Sequence, residues 1–139
     1  MRRAAGVNDR AAIDELEHVF KALADRTRLR IIALIGNNEV CVCHLQDSLG
    51  LPQPTVSRHL AHLRNAGRLA ARKEGLWVHY QLAELADPVM QTLVDAVRHA
   101  LGHFESGKRD HQRLAAHVDV PPARWVPLRR AACCTDECR

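Results

Sequence analysis

The sequence predicts a mainly α protein with a small β-hairpin, folded as a dimeric winged helix-turn-helix, and three stretches carry that prediction. From Pro54 to Gly67 the residues Val56, Leu60 and Leu63 recur at i, i+4 and i+7, with Pro54 in a tolerated first-turn position and Gly67 at the stop. This is one amphipathic helix of about three and a half turns. Its other face carries Thr55, Ser57, Arg58, His59 and His62 and no carboxylate, which suits a groove walled by phosphates. Upstream, Val40 to Leu49 reads as a shorter helix, joined through Gly50, Leu51, Pro52 and Gln53, so the two make a helix-turn-helix. Downstream, Leu69 to Lys73 and Leu76 to Leu82 are strand-like runs that meet at Glu74 and Gly75, a hairpin signal.

Taken in order, residues 1–10 are expected to be a disordered N-terminus, 11–104 the DNA-binding and dimerisation domain, and 105–139 a flexible, cysteine-containing tail. From Ala11 to Leu23, Ile13, Leu16, Phe20 and Leu23 fall at helical spacing. Asp25 offers an N-cap to the next helix, whose stripe Leu29, Ile32 and Ile35 ends at Gly36. In the hairpin's second strand Val78, Tyr80 and Leu82 share one face and Trp77, His79 and Gln81 the other. Asp87 and Pro88 start a helix whose apolar side, Val89, Met90, Leu93, Val94, Val97, Leu101 and Phe104, is wide enough to cover the first helix and pair with a twin. His99 and His103, four apart on it, could reach one metal ion, without a partner ligand at an obvious spacing. A short helix is expected from His111 to Val118 within an otherwise polar, proline-containing end.

Composition narrows the function. With 139 residues the chain builds one domain with a real core. Lys plus Arg outnumber Asp plus Glu, 20 to 16, giving a formal charge of +4 that favours a polyanionic partner. Aromatic residues make up only 4%, too few for base-stacking platforms on single strands. No apolar run reaches the length of a membrane span and the start lacks a secretory core, so a cytoplasmic protein without a membrane partner is expected. No nucleophile, base and orienting group come together from any spacing, and no organic cofactor motif is present, so the chain is read as a non-enzyme.

The five cysteines form two clusters, Cys41 with Cys43 and Cys133, Cys134 with Cys138. An odd, clustered set in a reducing compartment points to metal, metalloid or redox chemistry more than to a disulfide framework. Cys41 and Cys43 fall at or just before the first turn of a helix, where free amides and the dipole favour thiolate. On an ideal helix they would point about 200° apart, so they should not both be core, and chelation requires an irregular turn.

Four segments in order, Leu23 to Ile31, Glu39 to Leu45, Gln53 to Leu60 and Arg72 to Tyr80, resemble the signatures of the ArsR/SmtB family of bacterial metal-responsive repressors. The resemblance covers about residues 11–104. It implies a homodimer on double-stranded operator DNA that is released by an inducer. Expected contacts are Gln53, Thr55, Ser57, Arg58 and His59 toward bases, with Arg72 and Lys73 toward phosphates. The Cys-Val-Cys stretch is similar to the branch induced by arsenite and antimonite, which implies Cys41 and Cys43 as thiolate ligands. The third cysteine frequent in that branch is replaced by Gln46. Three arrangements follow: the tail triplet Cys133, Cys134 and Cys138 alone, slightly favoured; Cys41 and Cys43 completed by one tail thiol; or a two-sulfur site for a monomethylated arsenical. The last-helix zinc pattern of some relatives is not matched, since Val97 stands two after Asp95 where a histidine is needed. The rival readings are a repressor switched by thiol oxidation or by another soft metal ion and, less favoured, a thiol redox or metal-carrier protein.

Overall fold

The structure, a computed structural model, describes residues 9–118. The order is α1 (Asp9–Leu23), α2 (Arg26–Ile35), β1 (Val40–Cys41), α3 (Val42–Leu49), α4 (Gln53–Asn65), β2 (Leu69–Glu74), β3 (Trp77–Leu82), α5 (Pro88–Gly102) and α6 (Glu105–Val118). This is a winged helix-turn-helix: α3 and α4 form the two-helix unit, and β2 with β3 form the wing. The tail thiols Cys133, Cys134 and Cys138 lie outside the described residues.

The helix α2 is the hub. Ile31, Ile32, Ala33, Leu34 and Ile35 are all buried, the all-round burial of a helix surrounded by others. Its start is fixed by Asp25, whose carboxylate accepts the Arg28 amide at 3.0 Å, and its end by Gly36 at φ 56°. Around it pack Val19, Ala22 and Leu23 of α1, Leu45 and Leu49 of α3, Val56, Leu60 and Leu63 of α4, and Met90 and Val94 of α5. The stripe read at Val56, Leu60 and Leu63 is therefore the buried side of α4, and its polar side is left outward.

Three expectations are corrected. In α1, Ile13 and Phe20 point outward, 65% and 55% exposed, while Leu16, Val19, Ala22 and Leu23 face the core. The helix thus presents apolar residues on two sides. Val40 and Cys41 are not the start of a helix: they form a third strand, antiparallel to β3, with Val40 opposite Tyr80 and Cys41 opposite His79, so the sheet runs β1-β3-β2.

The third correction concerns residues 105–118, expected in a flexible tail with a short helix from His111 to Val118. They form α6, which packs on α2 and α3 through buried Leu114 and Asp110. Asp110 receives both Nε and Nη2 of Arg30, at 2.8 and 2.7 Å, a bidentate pair that satisfies an otherwise costly buried charge. Gly107 makes the α5 to α6 turn possible, because a Cβ there would meet the Leu101 carbonyl oxygen at 2.3 Å.

Candidate functional site

The thiol pair sits where β1 becomes α3. Cys41 is the N-cap of α3, with extended backbone at φ −69°, ψ 145°, and Cys43 lies in the first turn. Because Cys41 is outside the helix, the 200° separation of an ideal helix does not apply. Both residues are buried, and their sulfurs stand 3.0 Å apart, with Cys43 donating to Cys41. Val42 and Trp77 pack against the pair. The hydrogen bond from the Cys43 thiol pulls the Cys41 thiol down to about 7 against the opposing effect of burial, and the backbone amides of Cys43, His44 and Val42 add to the lowering. A helix start that gathers its free amides on one sulfur stabilises the thiolate, the nucleophilic and metal-binding form. The irregular junction thus brings together two sulfurs that a continuous helix would hold apart.

The surroundings are charged. Glu39, two residues before Cys41, accepts Nε of Arg72 at 2.9 Å, and a second guanidinium nitrogen bonds the same carboxylate oxygen. Nη1 of Arg72 reaches Glu74 at 2.9 Å. These two carboxylates hold the Arg72 guanidinium well above its usual range, the Glu39 contact contributing most. The His79 ring is buried nearby, and burial, with the Arg72 charge, holds its imidazole below the usual range while Glu39 and Glu74 oppose. The sequence does not assign Glu39, Trp77 and His79 to the thiol site, since only strand pairing brings them there.

On α4 the expected groove residues separate into two groups. Gln53 and Arg58 are exposed, and Thr55 and Ser57 half-buried at the edge of the same face; the Gln53 amide donates to the Ser57 hydroxyl at 2.8 Å. His59 turns away from them. Its Nδ1 lies 3.6 Å from the Asp25 carboxylate at the start of α2, and its side chain is 14% exposed. It braces α4 on α2. At the wing Lys73 is exposed, whereas Arg72 is occupied by Glu39 and Glu74. Arg64, in the last turn of α4, is also exposed, though its sequence position beyond the apolar stripe does not mark it as a groove residue.

The structure brings His99 and His103 together, Nε2 to Nε2 at 3.2 Å, on the exposed side of α5. Among the described residues no cluster of three or more His, Cys, Asp or Glu side chains could hold a metal ion, so this pair and the Cys41/Cys43 pair each offer two ligands. No helix among the described residues is long and apolar enough to cross a membrane.

A core of packed helices with a polar helix projecting beside a β-wing defines a winged helix-turn-helix DNA-binding protein. Residues 25–68 match the family model described as "Bacterial regulatory protein, arsR family". The chain is 43% identical over 107 residues to the arsenic resistance transcriptional regulator ArsR1 of Pseudomonas putida, covering 70% of this chain and 84% of that one. It is 53% identical over 66 residues to the arsenical resistance operon repressor of Escherichia coli, covering 47% of this chain and 56% of the relative. Among solved structures, it is similar to HlyU from Vibrio cholerae (TM-score 0.58, 29% identity, 64% of this chain and 94% of that one). It is also similar to the homodimeric winged helix-turn-helix domain of Mb0332 from Mycobacterium bovis (TM-score 0.56, 28% identity, 75% of this chain and 94% of that one). The chain belongs to the ArsR family of transcriptional regulators.

Proposed function

We propose that the chain is a cytoplasmic, homodimeric repressor that binds double-stranded operator DNA and leaves it when cysteine thiolates capture trivalent arsenic or antimony. The observation that carries this reading is the buried Cys41/Cys43 pair, with sulfurs 3.0 Å apart and one of them poised as thiolate at the junction that leads into α3. Arsenous acid exchanges hydroxyls for thiols: As(OH)3 and two cysteine thiols give a bis-thiolate As–OH and two waters. The Cys41 sulfur then bonds arsenic in place of accepting the Cys43 thiol, and the junction ahead of α3 must adjust. Because α3 leads through Gly50 to Pro52 into α4, a shifted α3 misplaces the outward face of α4. The inducer releases DNA only in so far as it binds the free form more tightly, typically by about 1–3 kcal/mol of coupling.

On the DNA side, Gln53, Thr55, Ser57 and Arg58 are assigned to base edges and Lys73 to phosphate. Arsenic-resistance names among the relatives support the choice of metalloid over other soft ions. The expected third sulfur comes from Cys133, Cys134 or Cys138; a monomethylated arsenical, which needs only two sulfurs, fits the pair by itself. The test is operator release on titration with arsenite of the parent, a Cys41→Ser/Cys43→Ser variant and a triple serine variant of the tail. Loss of release in the first variant is expected. Full release in that variant moves the inducer to the tail, and retention of DNA by the parent at saturating arsenite overturns the reading. The close sulfurs also suit oxidation to a disulfide, which would show as release by peroxide, reversed by dithiol reductant.

A further inference from the structure

We infer that Arg72 and Glu39 form a linkage that carries the state of the thiol pair to the wing, so that Arg72 is a positioning residue and not a phosphate contact. This rests on Cys41 and Cys43 being the inducer site. The register places Cys41 opposite His79 and His79 opposite Arg72, one row across all three strands. Residues paired across antiparallel strands point to the same face, as do residues two apart along a strand. Cys41, His79, Arg72, Glu74 and Trp77 therefore share one face of the sheet. Tyr80 and Leu82 face the other way, into the core.

Glu39 belongs to the segment that enters β1, and its carboxylate takes two of the Arg72 guanidinium nitrogens while Glu74 takes a third. Two carboxylates and one guanidinium leave this group with a net negative charge. A DNA phosphate approaching Arg72 would meet the repulsion of both acids. Lys73, one residue on and pointing to the opposite face, is exposed and free of that screen.

The strand β1 has only two residues. A ligand that draws the Cys41 sulfur toward itself therefore moves the whole strand, and with it Glu39. The ion pair then transmits that displacement to β2, the outer strand of the wing. The wing is repositioned together with α4, so capture removes two DNA-contacting elements at once.

The test uses the full chain with Glu39→Gln, Arg72→Gln and the double variant. Operator affinity is measured across a salt series, arsenite uptake by the ultraviolet absorption of arsenic–thiolate bonds, and half-release by arsenite titration. Expected are parental salt dependence and arsenite uptake in both single variants, with roughly 2- to 30-fold more arsenite needed for half-release. The double variant should lose no more than either single one, because both cut the same link. A fall in the salt slope of about 0.9 per protomer in Arg72→Gln, with half-release unchanged, would make Arg72 a phosphate contact and overturn the inference. Parental release in both single variants overturns it too, while leaving the inducer site standing. A parent that keeps its operator at saturating arsenite overturns the inducer site, and the linkage falls with it.

Discussion

Cys41 is decided by where the helix begins. One residue further into α3 it would have lost the extended backbone that turns its sulfur toward Cys43, and with it the Cys43 thiol hydrogen bond that, with the neighbouring amides, holds its thiol at about 7. A pH dependence follows, and its sign can be worked out. Thiolate attacks arsenous acid, so the association rate should climb from pH 6 to pH 8 with a midpoint of about 7. Below that midpoint both thiols carry the protons that leave as water, and affinity should be flat. Above it one proton must be supplied, and affinity should weaken by about tenfold per pH unit. Stopped-flow absorbance across this range checks both limbs, and a midpoint near the ordinary thiol value would remove the Cys43 hydrogen bond and the helix-start amides as an effective cause. The DNA-facing residues allow a paired comparison. Arg58→Ala should weaken operator binding and relax base preference, whereas Lys73→Ala should weaken all sequences alike and lower the salt slope. Competition shift assays at fixed salt distinguish them.

The addition that matters most among the elements is α6. It is anchored by the Arg30–Asp110 pair, and Arg30 also donates to the Leu49 carbonyl at 3.3 Å while Arg113 reaches the Ser48 carbonyl at 3.5 Å. These two arginines supply donors to the free carbonyls at the end of α3, beside the Gly50 turn. The helix thus braces the first half of the helix-turn-helix. Asp110→Asn should lose the charge that the 2% exposed Asp110 site is built to hold, leaving Arg30 uncompensated. A loss of about 3 kcal/mol is expected, read from the urea midpoint. A variant within about 0.5 kcal/mol of the parent would mean that α6 contributes little to the fold.

For the assembled molecule, the telling feature is α1. Its second apolar side, Ile13 and Phe20, lies in the open, as do Val89 at the start of α5 and Phe104 just beyond its end. Among the described residues these side chains are left more than half exposed, and a second copy would bury them. Dimerisation also matches two reading helices to two half-sites. Ile13→Asp with Phe20→Asp should give a folded monomer by sedimentation velocity, since neither side chain supports the core, and operator affinity should fall with it. A variant that stays dimeric would move the interface elsewhere.

Local spacing, caps and turns by themselves determined the order of the helices from α1 to α5, the buried stripe of α4, the two strands of the wing and the position of both thiols near a helix start. A sequence displays those signals directly. The resemblance to the family was legible separately, in four short segments of residue identity, and the 43% identical relative showed membership. Only the tertiary structure decided that Val40 and Cys41 are a strand, because a two-residue strand has no period of its own and exists only through Tyr80 and His79 on β3. Likewise, the sequence shows a short helix at His111–Val118 but not that it starts at Glu105 and docks on the core, which Arg30, 80 residues away, decides by meeting Asp110. His59 looks like a groove residue until Asp25 is found beside it. In each case the deciding partner is distant along the chain, and electrostatic or strand pairing across that distance leaves no local pattern.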